Sequence, residues 1–163
     1  MARSARAAAQ VTLGPEAAAA LWRDPQRWPS FVEGFARLVS VTPDWPAEGA
    51  KVVWETGPGG RGKVSEKVTE NGGRTFATRV VEERLFGTQT FRAEPAEGGS
   101  RVEIALEYEL TSESPLKGVT DVLFIRRALR DSLARTLRRY AVEADEDAGL
   151  RDRGDAEGGG APL

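Results

Sequence analysis

The 163-residue chain contains no cysteine and no histidine. Without cysteine there is no disulfide, thiolate nucleophile, Cys-bound zinc, iron–sulfur centre or thiol switch. Without histidine there is no Ser-His-Asp or Cys-His pair, no imidazole base near neutral pH and no His-ligated metal or haem. Chemistry is thereby confined to carboxylates, Tyr, Lys, Arg, hydroxyls, bound water and backbone dipoles. Neither a D-x-D-x-D-G calcium loop nor a comparable carboxylate cluster occurs, so no metal and no cofactor is expected. Long apolar runs are missing too: none approaches about 18 residues, and Met1 is followed by Arg3, Arg6 and alanines rather than by an apolar signal core. The expectation is a cytoplasmic protein without a transmembrane segment. Charge of one sign is not in excess either. With 23 basic and 25 acidic side chains the net charge is −2, which gives no overall pull toward nucleic acid or acidic membranes.

What remains is ordinary for a globular chain, with 40% hydrophobic and 29% charged residues. The length suits one domain, which at this size buries roughly 70% of its unfolded surface. Residues 3–11 read as a first strand. Thr12 offers a cap hydroxyl and Pro15 suits the first turn of a helix carrying Glu16-Ala17-Ala18-Ala19-Ala20-Leu21-Trp22. That helix is expected to stop near Asp24-Pro25, because Pro25 disfavours helical geometry in the residue before it. A second short helical segment bears Trp28 and Phe31 and closes near Gly34.

From Phe35 the period changes to two, and six strands are expected over residues 35–43, 50–56, 62–70, 74–83, 86–94 and 100–111. Short links such as Gly57-Pro58-Gly59-Gly60 and Asn71-Gly72-Gly73 favour an antiparallel meander. The last strand alternates most cleanly, with Val102, Ile104, Leu106, Tyr108 and Leu110 on one face and Glu103, Ala105, Glu107 and Glu109 on the other. Pro115 to about Glu143 then reads as a helix, with Val119, Val122, Leu123, Ile125, Leu129, Leu133, Leu137 and Tyr140 at three- and four-residue steps. It is long enough to lie across the apolar face of the sheet. The domain is expected to span residues 1–145, and the glycine-rich, acidic residues 146–163 are expected to be a disordered tail.

This order of elements resembles the helix-grip fold. The segment Asp24-Pro25-Gln26-Arg27-Trp28-Pro29-Ser30-Phe31 resembles the D-P-x-x-W-P-x-F stretch of polyketide cyclase/dehydrase-like proteins in the START-related (SRPBCC) superfamily. Trp54-Glu55-Thr56-Gly57-Pro58-Gly59-Gly60-Arg61-Gly62, Gly87-Thr88-Gln89-Thr90 and the Arg-rich final helix also resemble bacterial members of that group. The resemblance covers residues 3–143. It implies an α+β fold in which a curved seven-stranded antiparallel sheet wraps around a long C-terminal helix, with two short helices after the first strand and a cavity between sheet and helix. Members include aromatase/cyclases, lipid and sterol carriers and quinone-binding proteins, so the resemblance leaves carrier and enzyme both open.

Alternation places Glu66 between Val64 and Val68 on the apolar face, where a carboxylate is costly unless paired, hydrated or protonated. It reads either as a cavity acid or base with a raised pKa, or as a rim carboxylate reaching water or a cavity arginine. Tyr108 is inward and could hydrogen-bond a ligand carbonyl, or be a satisfied core tyrosine. Gln89 shares a face with Phe91 and Ala93 and offers a neutral polar handle. Trp54, Phe76, Phe91, Leu106 and Leu123 extend the candidate lining. The loop over residues 57–62 lacks the G-x-x-x-x-G-K-[ST] order and joins two strands, so it reads as a mobile segment at the cavity mouth rather than a phosphate cradle, with Arg61 available to an anionic group.

The final helix carries Arg126, Arg127, Arg130, Arg135, Arg138 and Arg139, with Asp131 placed for i,i+4 pairs to Arg127 and Arg135. Such a run is ordinarily a solvated face. It lacks interleaved exposed aromatics and is followed by Glu143, Asp145, Glu146 and Asp147, so nucleic acid is not an expected partner. Three readings follow. The first is binding of a hydrophobic or amphipathic small molecule of polyketide, lipid or quinone type. The second is a cyclase, aromatase or dehydratase with Glu66 as acid/base and Tyr108 or Gln89 polarising a carbonyl. The third is an interaction module using the basic helix, with salt-sensitive binding. The short list of inward polar groups favours binding.

Overall fold

A computed structural model describes residues 3–111 and 119–158. The elements run β1 (Arg3–Val11), α1 (Pro15–Trp22), α2 (Trp28–Phe31), β2 (Phe35–Val41), β3 (Lys51–Thr56), β4 (Lys63–Asn71), β5 (Thr75–Val81), β6 (Leu85–Ala96), β7 (Gly99–Leu110) and α3 (Val119–Gly158). The six meander strands end within two residues of the positions that alternation and turn residues predict. They form one curved antiparallel sheet in the order β1-β7-β6-β5-β4-β3-β2. β1 closes the far edge by pairing along its whole length with β7, from Arg3 opposite Tyr108 to Val11 opposite Ser100. With α3 packed against the sheet, this is the helix-grip fold.

Period-two patterning decides which face is covered. In β7, Val102, Ile104, Leu106 and Tyr108 are buried while Arg101, Glu107 and Glu109 are exposed. Gly87 sits opposite Tyr108, and a Cβ there would lie 2.0 Å from the Glu107 carbonyl oxygen, so the two strands can approach only because the side chain is missing.

The first short helix packs on the sheet's inner face over β6 and β7, and the second packs against α3 and β2. Trp22 stacks on Phe91 at 5.0 Å, and Phe31 meets Tyr140 edge-on at 5.3 Å. The Tyr140 hydroxyl donates to the Ala18 carbonyl at 2.6 Å, fastening α3 to α1. Trp28 Nε1 donates to the Trp22 carbonyl at 2.7 Å and Trp45 Nε1 to the Arg23 carbonyl at 2.8 Å, so the buried and the half-buried indole are both satisfied at their polar ends. Arg27 of the D-P-x-x-W-P segment reaches Glu143 at 2.8 Å and Asp147 at 3.0 Å on α3.

Two expectations about the C-terminal region are corrected. The helix does not give way to an irregular tail after residue 145; it continues to Gly158. Alanines, acids and arginines are good helix formers, opposite charges stand four apart at Asp147/Arg151 and Arg153/Glu157, and Gly149 and Gly154 cost only about 1 kcal/mol each relative to alanine. Asp131 makes no ion pair among the described residues. Arg135 and Arg139 turn instead to Glu33, at 3.0 and 2.8 Å, because that carboxylate is partly buried beside α3. The expected helix start at Pro115 and the end of the expected tail, residues 159–163, lie outside the described residues. Among those described, no helix is long and apolar enough to cross a membrane.

Candidate functional site

The meander leaves α3 to close the inner face at the end away from the aromatic cluster, and there a cavity of about 700 Å³ opens. The glycine-rich loop of residues 57–61, the β5–β6 turn and residues 124–132 of α3 enclose it. Leu85, Leu110, Phe124, Ile125 and Leu129 supply its apolar wall, and Glu33, Arg61, Glu82 and Arg84 its charged groups. Behind it lies a chamber of about 30 Å³ among Trp22, Trp28, Trp54, Val64, Glu66, Val80, Gln89 and Thr136. A space of that size suits a water molecule rather than an organic ligand. Arg61 and Ser132 border both spaces.

Arg61 is the partition. Its guanidinium carbon stands 5.4 Å over the Trp54 ring, and its Nε lies 3.4 Å from Glu82 Oε2. The loop that carries it turns through Gly59 and Gly62, whose φ angles of 79° and 73° disfavour any side chain.

Glu66 lies on the inner face, as alternation predicts, and is 5% exposed. It is neither a rim carboxylate nor an arginine partner by contact. Trp54 Nε1 donates to one oxygen at 3.0 Å and the Thr78 hydroxyl to the other at 2.8 Å. Burial pushes its pKa up, opposed by those two hydrogen bonds and by the charge of Arg61.

A folded-state carboxyl pKa above its unfolded value means that the native state keeps a proton which the unfolded state releases. Stability therefore falls as pH rises from the ordinary carboxyl range through the raised value. Glu66→Gln can keep both hydrogen bonds, with Thr78 reversing its hydroxyl, and removes this dependence. In urea unfolding, the variant should gain on the wild type as pH rises from about 4 to about 7. Glu82 contributes with the same sign in both proteins, so the difference isolates Glu66. Parallel pH profiles would show that Glu66 titrates alike in both states.

Tyr108 is 1% exposed and faces inward, but borders neither space. Its hydroxyl has no hydrogen-bond partner among the described residues, and burial raises its pKa. Trp54 and Gln89 line the inner chamber, and Arg61 both spaces. Phe76, Phe91 and Leu106 point inward yet reach neither, because Trp22, Trp45 and Tyr140 already occupy the space above that half of the sheet. Leu123 is 58% exposed and is not a lining residue. Its neighbours Phe124 and Ile125 border the cavity instead.

Sequence reasoning missed Glu33, Glu82, Arg84 and Ser132. Glu82 carried a signal: Thr78, Val80 and Glu82 continue one period-two face past the end of β5. Ser132 carried a weaker one, as a small polar residue three positions after Leu129 on the buried stripe. Glu33 lies between α2 and β2, where no period applies. The Glu82 side chain is 2% exposed, and its Oε2 accepts no hydrogen bond among the described residues. Burial raises its pKa against the opposing charges of Arg61 and Arg84. Among the described residues no group of three or more acidic side chains could hold a metal ion.

A family model described as polyketide cyclase / dehydrase and lipid transport matches residues 2–145. Among solved structures, the di-domain aromatase/cyclase StfQ of the steffimycin biosynthetic pathway is similar at TM-score 0.74 and 17% identity, over 91% of this chain and 52% of that one. The chain thus spans about half the length of that protein. The Zhui aromatase/cyclase of a Streptomyces strain is similar at TM-score 0.67 and 11% identity, over 93% of this chain and 96% of that one. A protein of Thermus thermophilus aligns at TM-score 0.68 and 17% identity, over 87% and 97% of the two chains. At these identities the likeness establishes the fold alone. No curated protein sequence matches the chain.

Proposed function

The chain belongs to the polyketide cyclase/dehydrase and lipid transport family, and from that premise we propose that it binds a hydrophobic or amphipathic small molecule, of polyketide, lipid or quinone type, between the sheet and α3. The observation that carries this is the cavity of about 700 Å³ with an apolar wall and a few charged groups at one side. Small-molecule sites commonly occupy about 300–1,000 Å³ and have this mixture of lining. The apolar body of the ligand lies against Leu85, Leu110, Ile125 and Leu129, and its polar end meets the Arg61 and Glu82 side.

Binding is favoured over a cyclase, aromatase or dehydratase using Glu66, because both oxygens of that carboxyl already accept hydrogen bonds. The same carboxyl faces only the small chamber behind Arg61. An interaction role for the basic helix has less support, since Arg135 and Arg139 are tied to Glu33.

The test is to incubate the protein with a metabolite extract, wash it, denature it and identify what is released by mass spectrometry. The expected result is one apolar or amphipathic compound in near-equimolar amount. Release of nothing, or only of material that salt removes beforehand, would overturn the reading.

A further inference from the structure

Each charged group around the outer cavity can be asked what it has left to offer a ligand. Glu33 is held by Arg135 and Arg139 at 3.0 and 2.8 Å. Arg61 is spread between the Trp54 ring and Glu82. Arg84 is exposed to solvent. Glu33 and Glu82 both border the cavity and both have an Oε2 without a hydrogen bond among the described residues. The Glu82 side chain, however, is 2% exposed against 25% for Glu33, and among the described residues no cation stands as close to it as Arg139 does to Glu33 at 2.8 Å. The Arg61 Nε at 3.4 Å supplies charge but is too distant for a good hydrogen bond.

The backbone holds this carboxyl in place. The Glu82 amide donates to the Leu85 carbonyl at 2.9 Å, closing the turn into β6, and Leu85 itself is part of the cavity's apolar wall. An acceptor that is buried, fixed and without a donor among the described residues, set beside an apolar surface, is complementary to a hydroxyl on an otherwise hydrophobic molecule.

We propose that Glu82 is the polar anchor of the ligand site, accepting a hydrogen bond from an alcohol or phenol hydroxyl of the ligand. This rests on the binding role proposed above and narrows its ligand class to hydroxylated amphipathic molecules. The carboxyl that meets the ligand is then Glu82 and not Glu66, whose acceptor positions are filled from within the sheet. A ligand hydroxyl would also supply the stabilisation of the ionised form that burial withholds.

β-Naphthol and its methyl ether differ in this hydroxyl and share the apolar body, so their relative affinity reads the anchor directly by calorimetric titration at about pH 8, above the ordinary carboxyl range. The wild type should prefer β-naphthol by about tenfold or more, since a site with an unfilled acceptor discriminates against a ligand lacking the donor. In Glu82→Leu the preference should fall to about twofold or less, whatever the change in absolute affinity, because the two compounds share their apolar contacts and differ only in the hydroxyl. Glu82→Gln retains an acceptor without the charge and should lie between them. Equal wild-type affinity for the two compounds, or a preference that survives in Glu82→Leu, overturns the assignment of Glu82 and leaves the cavity reading standing. Failure of both compounds to bind the wild type overturns the cavity reading, and this one with it.

Discussion

Ser132→Trp is expected to lower affinity for apolar ligands by about a hundredfold or more, equivalent to about 2.7 kcal/mol, in a chain that still folds. Ser132 is half-buried on α3 and borders both the outer cavity and the inner chamber. An indole there occupies the volume that the ligand would take, between the glycine-rich loop and Leu129. The stability cost is small for two reasons. The ring enters existing empty space instead of a filled core, and serine and tryptophan have similar helix propensities. Circular dichroism would confirm the fold, and titration with β-naphthol would read the loss. Wild-type affinity in a folded variant would mean that ligands bind elsewhere.

Tyr140→Ala should be the costliest single change for stability, at about 3–5 kcal/mol as for other buried aromatic truncations. The ring is fully buried and contacts Trp22, Phe31 and Phe91, with centroids 5.8, 5.3 and 5.7 Å away. These rings join α1, α2, β6 and α3, so the truncation loosens the attachment of the helix that walls the cavity. Tyr140→Phe removes only the hydrogen bond to the Ala18 carbonyl and should cost about 1 kcal/mol. Urea denaturation of the pair separates the two contributions. A loss below about 1 kcal/mol for Tyr140→Ala would show that the aromatic cluster is not what holds α3.

How much of this could be read from sequence depended on whether the relevant interaction is periodic. The strands were legible because one face of the sheet is buried and β7 alternates without exception from Val102 to Tyr108. The inward direction of Glu66 was legible for the same reason, from Val64 and Val68. Its partners were not. Trp54 lies opposite Val64 and Thr78 opposite Val68, so the two donors are diagonal neighbours of Glu66 that appear only once strand register is fixed.

Alternation also reports which face a residue is on, without saying what lies above it. Phe76, Phe91 and Leu106 are inward as expected, but the helices fill that half of the cup and the cavity opens at the other. On α3 the apolar pattern was right from Leu129 to Tyr140 and misleading at Leu123, which is 58% exposed. Past residue 145, composition suggested disorder, whereas opposite charges spaced for one helix face continue the helix to Gly158.

The central claim, that a small molecule sits between the glycine-rich loop and α3, is tested most directly by mapping amide chemical-shift changes while β-naphthol is added. The account predicts saturable shifts concentrated in residues 57–61, 82–85 and 124–132, which line the cavity. Shifts confined to the exposed face of α3 around Arg130 and Arg138, or no shifts at saturating ligand, would contradict it.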